Sequence, residues 1–365
     1  MKMLSPLPLI AMIVAAPASA RTPVSRTPVS QTPVSQTPVI RTETPLRYQI
    51  PSTVSPQAKV ALEQVYGLLQ QRAQVPQRPP LSQEDWDQRN QWVNAVIGPM
   101  VQANADALRV SVQEDMIGGV PVLRIRPPGY TPRHRTLIYA HGGGYVLFSA
   151  RTSLTVPALM AVASGDEVIS VDYTLAPRGN WQTATDQLIA AYRGVLAYRR
   201  PDQVGLLGDS AGGGLVAGAV LKMRDLQVPL PGALCLLSPW SDITDTGDSY
   251  ATLAAADPTL DAGGLKWGAD AYADPADQRH PYVSPVYGDY RKPYPPTLIQ
   301  GGTREIFVSN FVRHYQAIRS GGHEAVLDLY EGMPHVFQAM APAIPETATA
   351  MTRAATFFDT HLARR

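Results

Sequence analysis

Short apolar runs recur through most of this chain, separated by stretches long enough to form helices. From residue 136 onward, runs typical of buried strands occupy residues 136–140, 167–172, 204–208, 233–238, 297–301 and 325–330. Strands that alternate with helices predict a mostly parallel sheet flanked by helices. Two further strands, near residues 108–113 and 120–126, are joined through Gly118-Gly119, which is typical of a hairpin. The pattern therefore predicts an α/β fold with about eight strands.

Two helical patterns precede the first strand. Ser55-Pro56 opens the first helix, and Ser82 with Asp85 three residues later resembles a capping box that opens the second. Their apolar positions are expected to pack against the fold, and they could also roof a binding pocket; they are Val60, Val65, Leu68 and Leu69 in the first helix, and Trp86, Val93, Val96 and Ile97 in the second.

The first 45 residues carry a different composition. Lys2, a mostly apolar stretch at residues 7–16 and the small residues Ala18-Ser19-Ala20 predict a signal peptide over residues 1–20, and hence export to the periplasm or the medium. An uncleaved anchor is the alternative, although the apolar stretch is short for a membrane span. Residues 21–45 repeat Thr-Pro-Val-Ser, which predicts an extended linker, and residues 46–365 are predicted to form one folded domain. No later segment is long enough to span a membrane.

Charge and cysteine content narrow the function classes. The chain has 365 residues, of which 45% are apolar and 17% charged, and its formal net charge of +1 offers no basic field for nucleic acid. Cys235 is the only cysteine and lies in an apolar run, so an internal disulfide is excluded and a buried structural thiol is expected. No metal-ligand spacing occurs, and no cofactor is predicted.

Two glycine-rich peptides carry the candidate chemistry. Residues 208–212 read GDSAG, a G-x-S-x-G pattern that follows an apolar strand and precedes helix-forming sequence. This is the strand-turn-helix context of a serine nucleophile, here Ser210. Residues 141–144 read HGGG after another strand, and their unshielded N–H groups could stabilise an oxyanion. Together the two peptides predict acyl-transfer chemistry.

A serine nucleophile needs a histidine base and an acid that orients it. Among the seven histidines, His335 lies in a loop just after the last strand, at the strand end that faces Ser210. Glu305 follows the preceding strand and completes the chain order serine, acid, histidine that this fold requires. Asp242, which follows the strand after Ser210, is the alternative acid. Asp328 lies inside a strand, so we expect it to point away from the site.

These motifs resemble the hormone-sensitive-lipase-like family of α/β-hydrolase esterases, over residues from about 50 to 360. Further peptides are similar to family landmarks, among them Ser238-Pro239-Trp240-Ser241-Asp242 and Gly332-Met333-Pro334-His335. The resemblance implies a helical cap from residues of about 46–105 and 245–273. It implies an oxyanion hole formed by the backbone N–H groups of Gly143, Gly144 and Ala211, and it places Tyr145, Asp209 and Val336 near the acyl pocket.

The chain departs from the family in its acid, because Glu305 stands where relatives usually carry aspartate. The expected activity is that of a serine carboxylesterase acting on short to medium acyl esters through an acyl-enzyme on Ser210. A lactonase, deacetylase or amidase using the same residues is an alternative, as is a binding protein of the same fold without catalysis. The expected partner is a small ester or lactone, and the sequence leaves the oligomeric state open.

Overall fold

The computed structural model describes residues 48–72, 78–132 and 134–363. The predicted signal peptide (residues 1–20) and the Thr-Pro-Val-Ser linker (residues 21–45) lie outside the described residues and stay predictions. Within the described ranges, no helix is both long enough and apolar enough to cross a membrane.

The described residues form one eight-stranded sheet in the order β1-β2-β4-β3-β5-β6-β7-β8. Its strands are β1 Ser111–Ile117, β2 Val120–Arg126, β3 Thr136–Ala140, β4 Glu167–Val171, β5 Val204–Asp209, β6 Ala233–Leu237, β7 Thr297–Gly302 and β8 Ala325–Tyr330. β2 pairs antiparallel with β1 and β4, and every other neighbouring pair is parallel. The predicted α/β architecture is confirmed.

Helices flank this sheet. They are α1 Pro56–Arg72, α2 Gln83–Ala107, α3 Thr155–Ser164, α4 Trp181–Leu196, α5 Ala211–Asp225, α6 Ser249–Thr252, α7 Ala262–Tyr272, α8 Val308–Ser320, α9 Phe337–Met340 and α10 Pro345–His361. The predicted capping box of α2 is present, since Ser82 and Asp85 each accept the other's backbone N–H through a side-chain oxygen at 3.1 Å. Cys235 is buried in β6, as expected.

The first strand starts three residues and ends four residues later than the prediction of 108–113. Helix α2 continues to Ala107, and β1 then runs up to the hairpin turn, where Ile117 pairs with Val120 across Gly118 and Gly119. A two-residue turn requires the strand to reach its edge, so the turn fixes the register. The polar residues of this edge strand hide that boundary in the sequence.

Helix α1 belongs to a second hydrophobic cluster, separate from the main core. It buries Ala58, Leu62 and Val65 against the segment that follows β8, which includes Met333 and Phe337. The prediction that Val60 packs is wrong: its side chain is 51% exposed. The inward face of the helix repeats every three to four residues, and position 60 falls on the opposite side.

A buried histidine of α8 contacts the segments that follow β6 and precede β7. His314 is fully buried, and its ring nitrogens contact the hydroxyl groups of Ser241 and Tyr290, each at 2.8 Å. Burial lowers the pKa of His314 to about 3, because a charged imidazolium would lose its hydration. The residue is therefore neutral in the folded protein.

His314 makes the stability of the fold depend on pH. Between its unfolded pKa of about 6.5 and its folded pKa of about 3, the unfolded chain binds more protons, so lowering the pH destabilises the fold. The titration of this one group should lower the free energy of unfolding by about 2 kcal/mol between about pH 7 and pH 5. His314→Gln cannot titrate, and urea unfolding at the two pH values should show a smaller loss for the variant than for wild type. Equal losses would contradict the assignment of this pH dependence to His314.

Candidate active site

Ser210 stands at a strained turn between β5 and α5. Its backbone has φ 52° and ψ −122°, a conformation that residues other than glycine rarely adopt. The turn is held in place because the Ser210 N–H donates to the Leu237 carbonyl at 2.8 Å and the Ser210 carbonyl accepts from the Trp240 N–H at 2.8 Å. The side chain is consequently fixed at the carboxyl end of the sheet, as expected of a nucleophile elbow.

The glycines of the G-x-S-x-G pattern allow this turn to pack closely. A Cβ added at Gly212 would lie 2.1 Å from the Ala140 carbonyl oxygen, and one at Gly208 would lie 2.4 Å from the Gly212 carbonyl oxygen. Both obstacles are backbone atoms, which cannot rotate away. Helix α5 can therefore approach β3 only if these positions carry no side chain.

His335 connects Ser210 to Glu305. Its Nε2 lies 2.9 Å from Ser210 Oγ, and its Nδ1 lies 2.6 Å from Glu305 Oε2. The neutral tautomer that satisfies both contacts donates a hydrogen bond from its Nδ1–H to the carboxylate and accepts a hydrogen bond from the Ser210 hydroxyl at Nε2. The ring of Phe307 meets the imidazole edge to face at 5.2 Å. The structure thus brings the three predicted residues into one hydrogen-bonded chain.

The Glu305 carboxylate is fully buried and is surrounded by donors. Its Oε1 accepts from the Ser238 hydroxyl at 2.8 Å and from the Gly302 N–H, while Oε2 receives His335. Ser238 also accepts the Val336 N–H at 3.1 Å, so it joins the acid to the loop of the histidine. The role of Ser238 was not predicted, because the peptide Ser238-Pro239-Trp240-Ser241-Asp242 carries no local signal for a contact with the acid.

The alternative acids are engaged elsewhere. Asp242 accepts from Arg313 at 2.7 Å and from the Tyr287 hydroxyl at 2.8 Å. Asp328 accepts from Gln300 at 3.0 Å and forms an ion pair with Arg353. Neither carboxylate contacts His335.

The HGGG loop lies directly against Ser210. A Cβ at Gly142 would lie 3.0 Å from Ser210 Cβ. In the described part of the chain, the N–H groups of Gly143 and Gly144 have no protein acceptor. Ala211 is the first residue of α5, a position whose N–H has no acceptor within the helix. Within the part of the chain that the structure describes, none of the three N–H groups thus has an acceptor that would compete with a substrate oxygen.

Asp209, which the resemblance places near an acyl pocket, is hydrogen-bonded to the glycine loop. Its carboxylate accepts the Gly142 N–H at 3.1 Å and the Tyr139 hydroxyl. Burial is the main cause that raises the pKa of Asp209, and the hydrogen bonds oppose the rise. Asp209 thus ties the glycine loop to the end of β5.

Tyr145 and Val336, the other two residues matched to an acyl pocket, are also buried. The ring of Tyr145 stacks on Tyr272 of α7, with centroids 3.6 Å apart, and on Trp240 at 5.7 Å. Val336 follows His335 in a left-handed conformation, with φ 46°. Tyr145 therefore joins the glycine loop to the segment predicted as cap.

The predicted cap segment at residues 245–273 is bonded to the loop of Glu305. Asp257 is 2% exposed, and its carboxylate accepts the N–H of Ile306 at 2.8 Å. The Ser249 hydroxyl donates to the Ile306 carbonyl at 2.6 Å and accepts the Ser309 N–H at 2.8 Å. No local motif pointed to these contacts, because the paired residues are 49 to 60 positions apart.

An open cleft of about 940 Å³ lies at the other end of the parallel strands. Its walls include Arg124 and Arg126 at the end of β2 and Glu167 at the start of β4. Both arginines pair with Glu167, at 2.9 and 2.7 Å. This cleft is separate from Ser210. Among the described residues, no group of three His, Cys, Asp or Glu side chains is arranged to hold a metal ion.

Comparison with known proteins agrees with this architecture. A family model described as the alpha/beta hydrolase fold matches residues 137–339, and the chain belongs to this family. An acetyl-hydrolase of Streptomyces hygroscopicus is 35% identical over 227 residues, which cover 62% of this chain and 76% of that protein. An esterase of Acinetobacter venetianus is 30% identical over 223 residues, covering 60% of this chain and 73% of that protein.

The solved structures narrow the class further. A crystal structure of an esterase from the bacterial hormone-sensitive lipase family matches with a TM-score of 0.73 and 30% identity, covering 85% of this chain and 99% of that one. The resemblance to hormone-sensitive-lipase-like α/β-hydrolase esterases is confirmed.

The close packing at the elbow predicts unequal effects of two glycine substitutions. Gly212→Ala forces a methyl group into the Ala140 carbonyl, so we expect a loss of at least about 2 kcal/mol of stability, or failure to fold. Gly67→Ala is the control, because nothing lies within 4 Å of a Cβ there and alanine should stabilise α1 by about 0.5–1 kcal/mol. Thermal unfolding compares both with wild type. A Gly212→Ala protein as stable as wild type would contradict the packing argument.

Proposed function

We propose that this chain hydrolyses carboxylic esters of short to medium acyl chains through an acyl-enzyme on Ser210. The observation that carries the proposal is the continuous hydrogen-bonded chain from Ser210 through His335 to Glu305. The N–H groups of Gly143, Gly144 and Ala211 lie beside it and serve as the oxyanion hole. Relatives and neighbouring structures named as esterases support the same reaction class.

The arrangement assigns one step to each group. His335 accepts the Ser210 proton through Nε2 while the serine oxygen attacks the ester carbonyl, and Glu305 stabilises the resulting imidazolium. The three backbone N–H groups hold the negative oxygen of the tetrahedral intermediate. His335 then protonates the departing alcohol, and a water molecule activated by the same histidine releases the acid. These side chains, backbone groups and water suffice for every step.

Removal of acetyl groups is a second candidate within the same chemistry. It is favoured by the relative named acetyl-hydrolase, which is 35% identical to this chain. A binding protein without catalysis accounts less well for the contacts, because such a protein would not need His335 within 2.9 Å of Ser210 Oγ.

The test is a series of p-nitrophenyl esters from acetyl to palmitoyl, with Ser210→Ala as the matched variant. Wild type should turn over the shorter esters, and the variant should lose about four decades of rate or more, since the nucleophile is absent. Matched p-nitroacetanilide separates ester from amide cleavage. If wild type and the variant are equally inert across the series, the proposed function is wrong.

Substitution of the two carboxylates distinguishes the catalytic acid from the structural one. Glu305→Gln should lower kcat by up to about 10⁴-fold, because an amide no longer holds His335 in the required tautomer. Asp242→Asn should keep most activity and instead lose stability, by up to about 3 kcal/mol, since it breaks the contact with the partly exposed Arg313. Steady-state kinetics and urea unfolding measure the two effects. The reverse result would make Asp242 the acid.

A further inference from the structure

Arg89 of α2 is a buried cation without a carboxylate of its own. The residue is 9% exposed, and its guanidinium donates to the Arg78 carbonyl at 2.8 Å. The carboxylate that acts on it most strongly is Asp85, which is already engaged by the N–H groups of Leu81 and Ser82 and by Arg78. No carboxylate within the described ranges lies within ion-pair distance of Arg89. Burial lowers the pKa of Arg89, which marks the cost of desolvating its charge.

Two tryptophans frame this guanidinium. Its carbon lies 5.7 Å from the ring centroid of Trp86 on α2 and 5.5 Å from that of Trp267 on α7. Contacts of this kind stabilise the cation through the ring electrons and use none of its N–H donors. Of the five N–H donors, the contact with Arg78 uses one. Packing between two rings does not itself require a buried charge, because apolar side chains of similar size often fill such positions at no cost in stability.

The two helices that hold Arg89 contact the glycine loop or the turn that follows it. Asn90 accepts the Phe148 N–H at 2.8 Å, just beyond the turn that contains Gly143 and Gly144. On α7, Gly268 packs so tightly that an added Cβ would lie 2.7 Å from the Gly144 carbonyl oxygen. The cation therefore lies on the cap side of the loop that would bind the ester carbonyl.

We propose that Arg89, between Trp86 and Trp267, forms a subsite for a carboxylate carried by the ester substrate. The inference rests on the proposed function and adds its substrate class, namely esters of acidic molecules. The planar guanidinium suits two-point binding of a carboxylate, and the two tryptophan rings beside it make the surroundings of the contact less polar. The charge left uncompensated in the protein is then neutralised by the substrate.

The test compares esters that differ by one carboxylate. On the acyl side, p-nitrophenyl pentanoate is matched with mono-p-nitrophenyl glutarate, and on the alcohol side, phenyl acetate is matched with 4-acetoxybenzoate. Arg89→Gln should lower kcat/KM for one of the two anionic esters by about 10- to 100-fold, mainly through KM, because a charged hydrogen bond is lost. The neutral esters should change by less than about twofold, since the reacting groups are untouched.

Two further variants control for charge and folding. Arg178→Gln removes an exposed guanidinium that pairs with Asp87, a residue of α2 like Arg89. This variant should leave the ratio of anionic to neutral rates unchanged. Arg89→Lys keeps the charge and should retain part of the preference. The inference is overturned if Arg89→Gln leaves both ratios as in wild type, or lowers neutral and anionic rates equally, as a purely structural role in the cap would.

A binding measurement separates this inference from the proposed function. Titration calorimetry with glutarate on the Ser210→Ala protein, with and without Arg89→Gln, needs no turnover. Glutarate binding that Arg89→Gln weakens about tenfold or more supports the subsite even if no ester is hydrolysed. Absence of hydrolysis of the neutral esters by wild type counts against the proposed function alone, and glutarate binding that Arg89→Gln does not alter counts against the subsite alone.

Discussion

The buried negative charge of Glu305 is the constraint on which the site depends. A carboxylate removed from water is tolerated only when donors replace its hydration, and here they come from three different segments. Gly302 ends β7, Ser238 follows β6 and His335 follows β8. Since these strands are neighbours in the sheet, one charge holds three strand ends in a common arrangement. Ser210, at the end of the adjoining β5, then meets a histidine that is already oriented.

The use of glutamate at this position follows from where its loop lies. The backbone after Glu305 is held by the cap segment, through Asp257 and Ser249 at Ile306. From that position the side chain must reach back to the Gly302 N–H as well as outward to His335. The side chain of glutamate is one methylene longer than that of aspartate and supplies this reach.

The sequence predicted most of this fold because buried parallel strands are encoded by local apolar runs. The strand at residues 325–330 and the turn around Ser210 were predicted directly, since apolar pattern and glycine chemistry are local properties. The first strand was misplaced because its polar edge carries little pattern. The contacts of Ser238 and Asp257 could not be predicted, because they join segments 67 and 49 residues apart and depend on the finished topology.

The segment predicted as cap contacts both the loop of Glu305 and the glycine loop. Asp257 binds the segment after the acid, and Gly268 packs on the glycine loop that would hold the oxyanion. Packed interfaces of this kind transmit displacement because they have little free volume. A substrate that binds between α2 and α7, where Arg89 lies, therefore contacts the same elements that position Glu305 and Gly144. Under the proposed function, binding at Arg89 and alignment of the reacting groups therefore involve the same packed elements, so that binding energy gained away from the ester bond can contribute to the chemical step.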